Sequence, residues 1–186
     1  QNLDYEAIFN KKRELHIQNV PNAISVATCT TASELNASAI ITATQSGNTA
    51  RMVSKYRPKC PIIAVTPKEN VARKLALNWG VFPLLTTQKD STDELIDTSV
   101  NIALESGYVK KGDLVVIAAG VPVNYTGSTN LLKVHLVGDV LVQGKGIGTK
   151  TSYGTIKVVN SPEEAYELVE KNDIIVVKNL DKEYIP

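Results

Sequence analysis

The sequence predicts an α/β fold: a three-layer α/β/α domain with a mostly parallel five-stranded sheet, plus a small partial β/α extension at the C-terminus. Three observations predict it. Short, β-branched apolar runs alternate with segments of helical periodicity, which implies a parallel sheet covered on both faces. Glycine and proline punctuate the boundaries between these segments. The pattern then changes character after about residue 138, so the chain divides into 1–138 and 139–186.

The opening, about 4 to 15, is charged and helix-prone. After Pro21, the residues Ile24, Ala27, Thr28 and Thr31 recur at helical spacing and carry a second helix to about Leu35. Residues 39–43 (Ala-Ile-Ile-Thr-Ala) are short, apolar and β-branched, as a buried strand requires. Thr49, Met52, Val53 and Tyr56 then mark a helix that Pro58 stops. Residues 61–66 form the second strand, and Pro67 is expected at the first position of the next helix. A shorter third strand lies within 79–85. A helix over about 91 to 106 begins with a Ser91/Glu94 capping box and ends at Gly107 in the left-handed C′ position. Residues 113–119 give the most hydrophobic strand. Residues 131–137 give the fifth, reached without a helix and hence antiparallel at an edge.

Beyond this lies a glycine-rich joint (143–148), a strand-like run (155–159), a capped helix from Ser161 and a last strand (173–178). These are about 48 residues, too few for a self-sufficient domain.

Composition excludes several function classes. The 186 residues are 43% hydrophobic and 21% charged, and 20 Lys and Arg against 19 Asp and Glu leave a net charge of +1. That balance advertises neither nucleic acid nor membrane. No apolar stretch approaches the roughly 20 residues that span a bilayer. The N-terminus has no signal-peptide pattern and no Met, so a piece of a longer, cytoplasmic chain is expected. Cys29 and Cys60 lack metal-ligand spacing, and buried thiols are the expected state; the sequence leaves a disulfide between them open.

Two loops carry the functional signal. Thr44-Gln45-Ser46-Gly47-Asn48-Thr49 joins a strand to a helix and offers hydroxyls, free N–H groups and the positive end of a helix dipole, which suits a phosphate. Its bland reading is a good N-cap. It is not a Walker A loop, because no Gly-Lys-Ser/Thr follows. The second loop, 120–130, contains Thr126-Gly127-Ser128-Thr129 and follows the fourth strand. Loops at the carboxyl ends of neighbouring strands converge on one crevice in doubly wound sheets, so the two can clasp one ligand. A long connection with a turn at Thr126-Gly127 explains that loop about as well.

Other features read as structural. The 143–148 glycines neither follow a strand nor open a helix, so the dinucleotide fingerprint fails. His16 and His135 are isolated, and 54–59 is a basic helix end. No nucleophile has a partner base and no acid pair suggests catalysis. Residues alone thus describe a binding domain without chemistry of its own and with no metal site.

Several of these stretches together resemble the C-terminal domain of pyruvate kinase. They are Leu3-Asp4-Tyr5, Ile40-Ile41-Thr42, Ser46-Gly47-Asn48-Thr49-Ala50-Arg51, Ser54-Lys55-Tyr56-Arg57-Pro58, Pro61-Ile62-Ile63-Ala64-Val65-Thr66 and Gly80-Val81-Phe82-Pro83. Lys111-Gly112-Asp113 and the 120–130 loop continue the match in its bacterial form. The tail from Gly146-Ile147-Gly148-Thr149-Lys150 resembles the start of the extra phosphoenolpyruvate-utilising-like domain of some bacterial members.

The resemblance implies a parent enzyme that transfers phosphoryl between phosphoenolpyruvate and ADP with Mg²⁺ and K⁺, in a catalytic barrel outside this sequence. This piece would be inactive alone. It would bind a phosphorylated effector through the loops matching 44–49 and 121–130, dock on its own barrel and form contacts in a homotetramer. Members that bind fructose 1,6-bisphosphate place an arginine near Ser99 and Trp-Arg in the second loop. Here Asp97-Thr98-Ser99 and Val121-Pro122-Val123-Asn124 stand instead. Two charge-assisted contacts are missing. AMP or a sugar monophosphate is therefore expected, with Arg51 and Lys55 as residual cations. The alternatives are an assembly domain without effector and a free-standing sugar-phosphate or nucleotide-binding protein.

Overall fold

The computed structural model describes residues 4–14, 18–122, 129–138, 154–171 and 173–178. The chain divides into two compact units, Gln1–Asp139 and Val140–Pro186.

In the first unit, α1 (Tyr5–Glu14) and α2 (Val20–Glu34) precede β1 (Ala39–Ala43), α3 (Asn48–Lys55), β2 (Ile62–Thr66) and α4 (Glu69–Leu75). Then come β3 (Val81–Leu85), α5 (Thr92–Glu105), β4 (Leu114–Ala119) and β5 (Leu131–Leu136). The five strands lie in the order β3-β2-β1-β4-β5. The first four are parallel, and β5 pairs antiparallel with β4, Leu114 opposite Leu136.

Every residue of β1 and β2 is buried, which fits their unbroken apolar sequence. Side chains alternate between two cores. Ile40, Ile62, Ala64 and Val116 pack with Cys29 and Ala32 of α2, Val53 of α3 and Leu75 of α4. Ile41, Ile63, Val65, Val115 and Ile117 pack with Ile96, Val100 and Ala103 of α5 on the other face. Two helical layers thus sandwich one sheet.

The helix ends follow local chemistry. Ser91 Oγ accepts from the Glu94 N–H at 3.2 Å, and Gly107 takes φ +74 after α5, both as expected. Pro67 does not open α4: Lys68 is the N-cap, so the proline stands outside the helix. Its fixed φ is equally at home in the preceding turn. Pro83 sits within the edge strand β3, where strand proline belongs.

The second unit holds β6 (Ile156–Val158), α6 (Pro162–Leu168) and β7 (Ile174–Val176). The strands pair in parallel, joined by the helix as a parallel pair requires. Ser161 Oγ accepts from the Glu164 N–H at 3.2 Å, and Pro162 occupies the first turn. The 143–148 joint lies outside the described residues.

Candidate functional site

From β1 the chain moves outward through β2 to β3, then returns to place β4 on the other side of β1. The crevice between the carboxyl ends of β1 and β4 is therefore the topological switch point. The two hydroxyl-bearing loops leave those two strand ends.

The first loop is held from below. The Thr44 N–H donates to Val65 O at 3.0 Å, tying the loop to β2. Thr44 Oγ1 accepts from the Gly47 N–H at 3.0 Å, and Ser46 Oγ from the Asn48 N–H at 3.4 Å. Gly47 is the N-cap of α3, in the left-handed region at φ +79, with no side-chain cap bond. A Cβ there would lie 3.1 Å from Val71 Cγ1 and 3.2 Å from Leu75 Cδ2. The left-handed backbone calls for glycine, and a Cβ would also be tight against both side chains. The loop is thus a tight turn rather than a simple Ser/Thr cap. The first turn of α3 contains no acidic residue, so nothing on it neutralises the positive helix end.

The second loop is pinned at its base. Asn130 Oδ1 accepts from the Val121 N–H at 2.8 Å, while Asn130 Nδ2 donates to Val121 O at 2.6 Å. The Asn130 N–H also reaches Ala119 O at 3.1 Å. Thr126, Gly127 and Ser128 lie outside the described residues.

Thr129 joins the two loops. Its Oγ1 is 2.9 Å from Thr49 Oγ1, and both residues are buried, Thr129 at 1% and Thr49 at 5% exposure. Thr44 is buried as well, while Gln45, Ser46 and Asn48 are half-buried at the mouth. The Asn130 clamp was not singled out from sequence, because its partner, nine positions away, is a backbone group. Thr42 lies two residues before Thr44 on β1. Its Oγ1 is buried without a hydrogen-bond partner among the described residues.

Charge near the crevice is sparse. Arg51 is exposed, and the Lys55 ammonium lies 5.4 Å from the Tyr56 ring centroid at the opposite end of α3. Ser99 is fully buried and its Oγ donates to Leu95 O at 2.6 Å, so that position is engaged within its own helix. His135 has its pKa lowered, first by burial and then by nearby Lys133, with Asp97 opposing. Cys29 and Cys60 are free thiols; burial pushes Cys29 far up and Cys60 to about 11. No group of three or more His, Cys, Asp and Glu that could hold a metal occurs among the described residues. No described helix is long and apolar enough to cross a membrane.

The family profile described as "Pyruvate kinase, alpha/beta domain" matches residues 22–135, which takes in both loops. The chain belongs to the pyruvate kinase alpha/beta domain family. It is 59% identical over 135 residues to pyruvate kinase of Clostridium acetobutylicum, covering 73% of this chain and 28% of that one. It is 45% identical over all 186 residues to pyruvate kinase of Geobacillus stearothermophilus, or 32% of that protein. The chain therefore spans about a third of the length of these curated relatives. Among solved structures, Cryptosporidium parvum pyruvate kinase in complex with ADP matches with a TM-score of 0.66 at 33% identity. That match covers 73% of this chain and 28% of the other. The five-stranded, mostly parallel sheet with its antiparallel edge is thus a pyruvate kinase C-terminal domain.

Proposed function

We propose that this chain is the effector-binding and assembly domain of a cytoplasmic pyruvate kinase, the phosphotransferase that passes phosphoryl between phosphoenolpyruvate and ADP. The observation that carries the effector reading is the Thr49–Thr129 hydroxyl contact, because it brings both loops to one crevice. The residues in named roles are Thr44, Gln45, Ser46, Gly47, Asn48 and Thr49 on one side and Thr126, Gly127, Ser128 and Thr129 on the other. N–H groups of the first turn of α3 and the loop hydroxyls would take the phosphate oxygens. A phosphate displacing the Thr49–Thr129 contact would receive two hydroxyl donors already in position.

Binding here senses a ligand without transforming it. Catalytic Mg²⁺ and K⁺ do not fit the described residues, which offer no acidic cluster; they belong to the barrel. The coupling to catalysis runs through contacts with that barrel and within a homotetramer, since an effector acts only by binding two states unequally. The sparse charge supports a monophosphate such as AMP or a sugar phosphate over a bisphosphate. The β6-α6-β7 unit is the start of the extra phosphoenolpyruvate-utilising-like domain.

Thermal-shift titration with AMP, ribose 5-phosphate, glucose 6-phosphate and fructose 1,6-bisphosphate tests this reading. Saturation at a hundredfold over Kd is worth about 2.7 kcal/mol. Ser46→Glu should abolish the shift and leave assembly intact. A folded sample that no phosphorylated ligand stabilises favours the purely structural assembly domain instead.

A further inference from the structure

A second concavity lies at the opposite end of the same sheet. Ala37 and Cys60, which lead into the amino ends of β1 and β2, help line a cavity of about 710 Å³. That volume suits a small molecule. One wall is aromatic, from Tyr5 and Phe9 of α1; Cys29 and Cys60 line it further, and Arg57 and Lys59 add two cations. Glu34 contributes one opposing carboxylate. The ion pair found among the described residues is Glu69–Arg73, on α4, and neither cation has a salt-bridge partner among those residues.

The backbone singles out the same place. Asn36 and Arg57, the non-glycine residues with positive φ among those described, both line this cavity. Asn36 follows α2 at φ 48, a position asparagine tolerates. Arg57 follows α3 at φ 51, where glycine is the undemanding choice and arginine is strained. What arginine gains is its guanidinium, which lies 5.8 Å from the Trp79 ring centroid. Trp79 packs in turn against Tyr5, centroids 6.1 Å apart.

We propose that this cavity is a second ligand site, one that takes a small organic carboxylate with an apolar or aromatic body. The apolar part lies against Tyr5, Phe9 and the two thiols, and the carboxylate meets the Arg57 guanidinium with Lys59 beside it. A guanidinium pairs with a carboxylate in bidentate fashion. The site is built by α1, the end of α2 and the 57–60 turn, and shares no residue with the 44–49 and 120–130 loops.

The test uses the 186-residue chain with 3-phenylpropionate and its neutral analogue 3-phenylpropionamide. Trp79 is the sole tryptophan, so its emission reports any movement of Arg57. Protection of Cys60 from alkylation at alkaline pH reports occupancy independently. The acid should shift the emission and slow alkylation, and the amide should do neither at matched concentration. Arg57→Gly accepts the left-handed backbone and should keep the fold while weakening protection by about tenfold or more. Arg57→Asn, also suited to that backbone, serves if the glycine variant unfolds. Equal protection by acid and amide, no protection by either at millimolar concentration, or undiminished protection in a folded Arg57 variant would each overturn the proposal.

Discussion

The two ends of the central sheet are polar in different ways. At the carboxyl ends of β1 and β4, polarity comes from loop hydroxyls and backbone N–H groups: Thr44, Ser46, Thr49 and Thr129 around a left-handed Gly47. At the amino ends of β1 and β2 it comes from Arg57 and Lys59 beside aromatic rings and thiols. The first end turns on a left-handed glycine, so it is vulnerable where a Cβ intrudes. The second depends on side chains and is vulnerable to loss of charge. A ligand at the proposed first site would bring its own charge to a helix end; one at the proposed second would meet charge already there.

The largest break in that comparison is Gly47→Val. It forces a β-branched residue into φ +79 against Val71 and Leu75, and should cost on the order of 3 kcal/mol. Urea unfolding would measure the loss. Phosphate-dependent stabilisation should vanish with it, while Cys60 protection by the carboxylate probe should survive in the folded fraction only if the two ends are independent.

A finer probe makes the same substitution at three threonines. Thr49→Val strands the buried Thr129 hydroxyl and should destabilise by about 1–3 kcal/mol. The double variant with Thr129→Val should recover part of that loss, and a double-mutant cycle reads the coupling. Thr42→Val removes a buried hydroxyl that has no partner among the described residues, and should be neutral or stabilising by up to about 1 kcal/mol. Equal costs at Thr42 and Thr49 would mean that the crevice hydroxyls are not distinguished by pairing.

The smallest effect lies at the sheet's β5 edge, at His135 opposite Val115. Its folded pKa is lowered from 6.5, so the unfolded chain binds the proton more readily. The contribution is fully present above 6.5 and is lost as pH falls through 6.5 towards the depressed folded value. A slight drop in Tm between neutral and mildly acidic pH should follow, and His135→Gln should flatten it.

How legible each region was depends on how its parts lie along the chain. Residues 44–49 are contiguous, so hydroxyls, glycine and helix start could be read together. The strands were legible because β1 and β2 are buried on both faces and carry unbroken apolar runs. Antiparallel β5 followed from the missing helix before it. The Thr49–Thr129 contact joins residues 80 positions apart, so convergence could be expected but not the pair. Lys68 displaced Pro67 from the helix start because proline's φ suits a turn and a first helical position alike. The amino-end cavity was illegible: 5–10, 29–37 and 57–60 carry no shared pattern, and Arg57 looked like a solvated helix end.

Pro83 carries one more consequence. Gly80 O accepts from Ile62, and the Thr86 N–H donates to Thr66, so the even-numbered positions of β3 turn their amide groups towards β2. The odd-numbered ones, Pro83 among them, turn theirs outward, where proline has no N–H to offer. An extended chain arriving at this border during refolding in a concentrated solution finds a gap in the hydrogen-bonding ladder. Clumping of partly folded molecules through β3 is discouraged.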